Sequence, residues 1–156
     1  MEDIVNVKDA QRVFIVNRMK INWRSSPVDG DQYTFLFPDN IKGDAQLIYQ
    51  PLSDWTLGYG GKGFYHALST QGMSDDAVIA HLNEFYPNGR GLNEGTNERM
   101  RTGRGSSALS YLWDESIKRK ARIMYVFSGA QSMQAFLMKK DFIRFDKLRF
   151  YKIIEL

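Results

Sequence analysis

Short apolar runs separated by Pro, Gly, Asn and Asp dominate the first part of the chain. Apolar residues that alternate with polar ones, with many β-branched and aromatic side chains, are typical of strands. On this basis we predict strands over residues 4–7, 32–37 (QYTFLF) and 45–50 (AQLIYQ), followed by a further apolar stretch over residues 63–68.

Two segments of the same region have helical spacing instead. Asp9 is a suitable N-cap for a helix over residues 10–19, whose apolar residues recur every three or four positions. Ser74 is suited to cap a second helix over residues 75–86, which Pro87 ends. Both segments are therefore predicted as amphipathic helices.

The last third of the chain has the clearest pattern. Ser106 or Ser107 caps a predicted helix that runs to about Lys120. Residues 122–127 (RIMYVF) are almost entirely apolar, as in a central strand buried on both faces. A helix and two antiparallel strands follow, over residues 130–140, 142–145 and 150–154. The order of elements predicts an α+β (mixed α/β) fold in a single domain over residues 1–156.

The composition excludes several kinds of chemistry. The chain of 156 residues has no cysteine, so it has no disulfide framework, thiolate metal site or thiol nucleophile. Two histidines, His66 and His81, leave little material for a zinc site or a Ser–His triad, and we expect no metal. No apolar run approaches the ~20 residues of a membrane span, and the start lacks a signal-peptide pattern. We therefore expect a cytoplasmic protein that does not enter a membrane.

Positive charge is concentrated after residue 88. The formal net charge is only +3, but Arg90, Arg99, Arg101 and Arg104 fall within one glycine-containing segment with almost no apolar residues. A long irregular segment inside a compact domain is usually functional, and a basic one suits a polyanion. Nucleic acid, a nucleotide and a phosphorylated cofactor all meet that description.

A glycine-containing loop, MRTGRGSSAL over residues 100–109, leads directly into the predicted helix. The first N–H groups of a helix have no intrahelical partner, and the helix dipole places partial positive charge beside them. Gly103 and Gly105 lack the side chains that would hold a phosphate away, while Arg101 and Arg104 add full charges. The loop therefore has the properties of a diphosphate-binding site.

This loop and the elements after it resemble the second half of the GNAT superfamily of N-acetyltransferases, over about residues 100–156. Members of that family carry a Q/R-x-x-G-x-G/A loop whose amides hold the pyrophosphate of acetyl-coenzyme A. The resemblance implies a GNAT-like fold, with a central, mostly antiparallel sheet flanked by helices, and acetyl-CoA as the cofactor. The residues that it assigns to cofactor binding are Arg101, Thr102, Gly103, Arg104, Gly105 and Ser106.

The sequence departs from the family pattern in three places. Met100 stands where the family has its first Gln or Arg, Asp141 replaces a glycine, and Leu137 replaces the tyrosine that often protonates the leaving thiolate. The strand that precedes the loop in the family has two candidates here. One is residues 63–68, with residues 74–98 as an insertion, and the other is residues 79–87, with a strand replacing the predicted helix.

Direct attack of an amine on a thioester needs a base for the ammonium and an acid near the sulfur. If the resemblance holds, a carboxylate acting through water would be the base. Glu84 and Glu98 are nearest the loop in sequence, and His81 titrates in a suitable range. The candidate acids are Tyr111, Tyr125 in the predicted buried strand and Ser128 just after that strand. The catalytic candidates that we carry forward are Glu84, Tyr125 and Ser128.

The sequence therefore predicts transfer of an acetyl group from acetyl-CoA to an amine on a small molecule, a protein or a nucleic acid. An exposed closing strand would also allow two copies to pair as a homodimer. Two alternatives stay open: a GNAT fold that has lost catalysis, and a nucleic-acid-binding protein that uses the basic Arg90–Arg104 loop. The glycines at the helix start favour the cofactor, because Lys and Arg alone would serve a loop that binds a nucleic-acid backbone.

Overall fold

The computed structural model describes residues 3–7, 11–23, 26–36, 42–56, 61–87 and 104–155, and side chains within 28–35, 42–55, 63–87 and 105–155. The strands are β1 (Asp3–Val7), β2 (Gln11–Trp23), β3 (Ser26–Leu36), β4 (Lys42–Pro51), β5 (Val78–Tyr86), β6 (Ala121–Phe127), β7 (Ile143–Arg144) and β8 (Arg149–Ile153). The helices are α1 (Gly61–Thr70), α2 (Arg104–Lys118) and α3 (Gln131–Lys139), and a short 3-10 helix spans Leu52–Thr56.

The strands form one mixed, mostly antiparallel sheet in the order β1-β2-β3-β4-β5-β6-β8-β7. The described pairs of neighbours are antiparallel except β5 and β6, which run parallel. A parallel pair needs a crossover connection, and α2 lies in the connection here. The molecule therefore has an α+β fold in which one parallel step interrupts an antiparallel sheet.

Helices cover both faces of this sheet. On one face, which we call the α2 face, Met124 and Val126 of β6 pack with Leu109 and Leu112 of α2. On the opposite face, the α1 face, Ile123 and Tyr125 belong to a second cluster whose other buried members are Leu52, Trp55, Phe64, Leu68, Ile79 and Tyr151. Successive side chains of a strand point to opposite faces, so β6 is buried on both sides, as its apolar sequence predicted.

A close backbone approach explains Gly43 on β4. A Cβ atom at this position would lie 2.6 Å from the carbonyl oxygen of Pro87 and 2.9 Å from that of Tyr86. Any other residue would therefore push β4 away from the end of β5.

The elements predicted for the last third are confirmed, and α2, β6, α3, β7 and β8 lie within a few residues of their predicted bounds. The predicted cap is wrong, because α2 begins at Arg104 and Ser106 and Ser107 lie inside its first turn. The strands over residues 4–7, 32–37 and 45–50 correspond to β1, β3 and β4. None of the helices in the described ranges is long and apolar enough to cross a membrane.

Three segments correct the sequence analysis. Residues 10–19 are not a helix, because most of them belong to β2, where Val13 and Ile15 pair with both neighbouring strands. The helix over residues 75–86 is wrong as well, and the alternative of a strand over residues 79–87 is confirmed by β5. β-Branched residues and cross-strand pairing decide both cases. Residues 63–68 lie in α1, where Phe64 and Leu68 are four positions apart on one buried face.

Candidate functional site

The parallel strands β5 and β6 stay paired for only part of their length. The final described pairs are His81 with Tyr125 and Leu82 with Val126. Beyond them, β5 continues to Tyr86, and its described pairs there are with β4. The carboxyl ends of the two strands are therefore unpaired with each other, and we call this region the β5–β6 opening. In sheets with parallel strands, ligands bind outside such carboxyl ends.

Helix α2 begins at the β5–β6 opening. A Cβ atom at Gly105 would lie 3.4 Å from the Phe136 ring of α3 and 3.7 Å from Pro87, which directly follows β5. The first turn of α2 contains Gly105, Ser106 and Ser107 and no acidic residue. Its N–H groups and the helix dipole are thus not neutralised by a carboxylate of the same turn, which suits a bound anion.

The structure places half of the predicted cofactor-binding residues here. Arg104, Gly105 and Ser106 form the start of α2. Arg101, Thr102 and Gly103 lie outside the described residues, as does the rest of the basic loop before Arg104. For the residues that are described, the fit to a diphosphate rests on the acid-free first turn and on the small residues within it.

Glu84 lies on β5 just past the last pair with β6. Opposite it, the ladder with β4 contains a bulge: Leu47 pairs with Leu82 and Gln46 with Glu84, so Asn83 is the extra residue. Because Leu47 and Ala45 face α2, their neighbour Gln46 and its partner Glu84 face the α1 side. Glu84 is partly buried there, at the edge of the β5–β6 opening.

A chain of side-chain hydrogen bonds runs beside Glu84. Asn83 Nδ2 donates to Gln46 Oε1 at 2.6 Å, and Gln46 Nε2 donates to Gln32 Oε1 at 3.2 Å. The three amides belong to the adjacent strands β5, β4 and β3, and we call them the amide chain. Sequence reasoning missed it, because nothing in the one-dimensional pattern aligns three strands in register.

Tyr125, a predicted catalytic residue, lies on the same face in an aromatic cluster. Its ring centroid is 4.5 Å from that of Trp55, 5.0 Å from His81 and 5.1 Å from Phe64. Tyr125 is only 3% exposed. His81 and Tyr125 of this cluster are still paired across β5 and β6, so the cluster lies where the β5–β6 opening begins. Trp55, which the sequence analysis did not single out, is part of it.

Ser128, the third predicted catalytic residue, follows β6 directly. Its Oγ accepts a hydrogen bond from the Ala130 amide at 3.3 Å, and its own amide donates to Leu148 O at 2.8 Å. Its carbonyl oxygen accepts from Gln134 Nε2 at 2.7 Å. The structure therefore brings Ser128 to the β6 side of the opening but also gives it a role in the turn that begins α3.

A separate group of charges lies on the α2 face. Arg119 Nη2 donates to Asp31 Oδ1 at 3.0 Å, and the Tyr33 hydroxyl donates to Asp31 Oδ2 at 3.0 Å. Burial raises the pKa of Tyr33 above its ordinary value, and the neighbouring charge of Asp31 adds to this effect. Burial raises the pKa of Tyr49 as well. Both tyrosines therefore stay neutral and hold their positions in the core.

Within the described parts of the chain, no three His, Asp or Glu side chains are arranged to hold a metal ion. Of the two histidines, His81 is buried beside Tyr125 and His66 is exposed on α1.

Comparison with known proteins gives information about the fold. No family model matches the chain, and no curated protein matches its sequence. Among solved structures, the Y145F mutant of KacT matches with a TM-score of 0.50 and 11% identity, over 80% of this chain and 71% of that chain. AtaT complexed with acetyl-methionyl-tRNAfMet matches with a TM-score of 0.49 and 12% identity, over the same shares of both chains. KacT is a GNAT-fold protein, and the chain described here has a GNAT-like α+β fold.

Proposed function

We propose that this protein is an N-acetyltransferase that transfers an acetyl group from acetyl-CoA to an amine. The observation that carries the proposal is the β5–β6 opening with the acid-free first turn of α2 at its end. The GNAT-like fold supports it, because the sequence resemblance had placed a pyrophosphate-binding loop at the start of this helix.

The residues that would hold the cofactor are the amides at the start of α2, from Gly105 and Ser106, together with Arg101, Thr102, Gly103 and Arg104 before them. When bound, acetyl-CoA supplies a thioester whose acetyl group an amine can take. The carboxyl ends of β5 and β6 are not paired with each other, and ligands of sheets with parallel strands bind outside such ends.

Two sides of the opening carry the side chains for proton transfer. Glu84, on the β5 side, would accept the proton that an acceptor ammonium must lose before its nitrogen can attack. Tyr125 and Ser128, on the β6 side, are the hydroxyl groups that could supply a proton to the leaving group. The Tyr125 ring is fixed by its aromatic neighbours, so its hydroxyl is held in one place.

The experiment that tests this proposal is thermal unfolding with and without acetyl-CoA. A ligand at 100 times its dissociation constant stabilises the folded state by about 2.7 kcal/mol, which corresponds to a rise of several degrees in Tm. Dephospho- and desulfo-analogues show which part of the cofactor is recognised. Stabilisation by DNA or RNA, with no effect of acetyl-CoA, would instead support a nucleic-acid-binding protein.

A charge placed in the first turn of α2 separates loss of binding from loss of folding. In Ser106→Asp, a carboxylate enters a turn that has none, so it stabilises the helix while repelling a diphosphate. We expect the Tm without ligand to stay the same or rise, and the shift with acetyl-CoA to disappear. Ser110→Asp, one turn further along the same helix and exposed, is the matched control and should keep the shift.

A further inference from the structure

The amide chain ties the bulge of β5 to the two strands beside it. Asn83 is the extra residue of the bulge, and its side chain donates to Gln46, the residue paired with Glu84. Gln46 in turn donates to Gln32, its own cross-strand partner on β3. All three side chains are partly buried on the α1 face. The chain therefore crosses three strands at the level of Glu84.

A bulge needs such support. The extra residue has no place in the ladder, so the backbone around it is held less firmly than in a regular strand. Here the Asn83 side chain replaces the missing ladder contact with a bond of 2.6 Å. Gln46 uses its oxygen for Asn83 and its nitrogen for Gln32, so both ends of one amide are engaged and its orientation is fixed.

We propose that Gln46 and Asn83 are positioning residues for Glu84: their hydrogen bond holds the β5 bulge and thereby the carboxylate at the β5–β6 opening. Gln32 acts one step further away by holding Gln46. The inference rests on the proposed acetyltransferase function in assigning Glu84 its task. The claim about the bulge stands on the hydrogen bonds alone.

Three substitutions on the α1 face form a graded series. Gln46→Leu removes both bonds of the amide chain, and Gln32→Leu removes only the outer one. Gln50→Leu is the matched control, because Gln50 lies on the same strand and face as Gln46 but pairs with Ile79, away from the bulge. The series changes no charge.

The first measurement is amide hydrogen exchange of residues 82–86 in the free protein. We expect exchange at Asn83 and Glu84 to accelerate about 10-fold in Gln46→Leu, the scale for losing two ordinary hydrogen bonds, and less in Gln32→Leu. Gln50→Leu should exchange as the wild type does. Equal exchange in Gln46→Leu and Gln50→Leu would overturn the proposal, whatever the enzyme does.

The second measurement separates positioning from binding. The assay uses acetyl-CoA with a fixed mixture of spermidine, lysine and glycinamide as amine acceptors. A thiol reagent detects the coenzyme A that is released, and the protein adds no background because it has no cysteine. We expect Gln46→Leu to lower kcat about 10- to 100-fold, while the Kd for acetyl-CoA changes less than about 2-fold. A change in Kd with kcat intact would refute positioning. A wild type that does not bind acetyl-CoA would refute the proposed function, and the exchange result would still decide the bulge.

Discussion

The two faces of the sheet both contain carboxylates, but they hold them differently. On the α2 face, Asp31 is 1% exposed and is bound by Arg119 and by the Tyr33 hydroxyl, each at 3.0 Å. On the α1 face, Glu84 is partly buried at the end of a parallel ladder, next to a bulge held by side-chain amides. The Asp31 carboxylate is therefore buried on the α2 face, whereas the Glu84 carboxylate lies where β5 and β6 separate.

This difference separates a carboxylate that is held within the core from one that lies where a ligand could bind. A carboxylate that is itself buried and already bound by a cation and a hydroxyl cannot reach a substrate, and removing a partner mainly costs stability. A carboxylate at the unpaired ends of parallel strands can meet a ligand without any change of the core. The comparison predicts that substitutions on the α1 face at Glu84 change the reaction, whereas those around Asp31 change folding.

The largest effect is expected for Glu84→Gln. The amide keeps the size of the side chain but cannot accept a proton from an ammonium, so kcat should fall by about 100- to 10,000-fold. The free energy of unfolding should stay within about 0.5 kcal/mol of the wild type, because the residue is not in the sealed core. Steady-state kinetics and urea unfolding measure the two quantities on the same preparation.

Glu155→Gln is the control for this prediction. Glu155 is an exposed residue just beyond β8, and its substitution should leave both kcat and stability unchanged. If Glu84→Gln retained the wild-type kcat, Glu84 would not be the base, and the proton would have to go to another group of the α1 face such as His81, which lies beside Tyr125.

The last third of the fold was predictable because its signals are local. Helix α2 has apolar residues at helical spacing, and β6 is apolar apart from Arg122, so neighbours in sequence determine each element. Residues 10–19 show the opposite case: apolar residues at helical spacing lie in β2, because pairing with β1 and β3 outweighs that spacing. A local pattern of apolar residues contains no information about strands that pair with a segment from far along the chain.

The candidate site was predictable only in part for the same reason. Gly105 in the first turn of α2 and Glu84 on β5 were proposed as site residues from residue type and proximity in sequence. The amide chain, by contrast, joins Gln32, Gln46 and Asn83 over 14 and 37 positions. The Asp31–Arg119 pair joins residues 88 positions apart. Both depend on strand register, which the sequence alone did not determine.

An intermediate effect is expected on the α2 face, for Arg119→Met. The substitution keeps much of the apolar stem but removes the guanidinium from the buried Asp31, to which the Tyr33 hydroxyl still donates. Because the Arg119 side chain is 33% exposed, we expect a loss of about 1.5–3 kcal/mol in the free energy of unfolding rather than the full cost of a deeply buried pair. Urea unfolding measures the loss, and acetyl-CoA binding should persist in the folded variant.

Lys118→Met tests whether that loss belongs to the buried pair. Lys118, the last residue of α2, is 75% exposed and bridges Glu115 at 3.0 Å, so its removal should cost only about 0.2–1 kcal/mol. Equal losses in the two variants would mean that the Asp31–Arg119 pair is worth no more than a surface ion pair. In that case the contrast between the two faces would disappear.

The smallest effect is expected for Asp146, which forms an ion pair with Arg149. The Arg149 guanidinium also lies over the ring of Phe127, the last residue of β6, at 5.4 Å from its centroid. Partial burial alone would raise the pKa of Asp146, but hydrogen bonds from the Leu148 and Arg149 amides and the Arg149 guanidinium outweigh it and lower the pKa.

A folded-state pKa below the unfolded value of about 3.9 adds stability that is present above that pH and lost as the pH falls through the folded-state pKa. Asp146→Asn should therefore cost about 1 kcal/mol at pH 7 and progressively less as the pH falls through the folded-state pKa, as measured by urea unfolding over a series of acidic pH values. Asp76→Asn, at an exposed position, should show no such difference, and a cost for Asp146→Asn that did not depend on pH would assign the stabilisation to the shape of the side chain rather than to its charge.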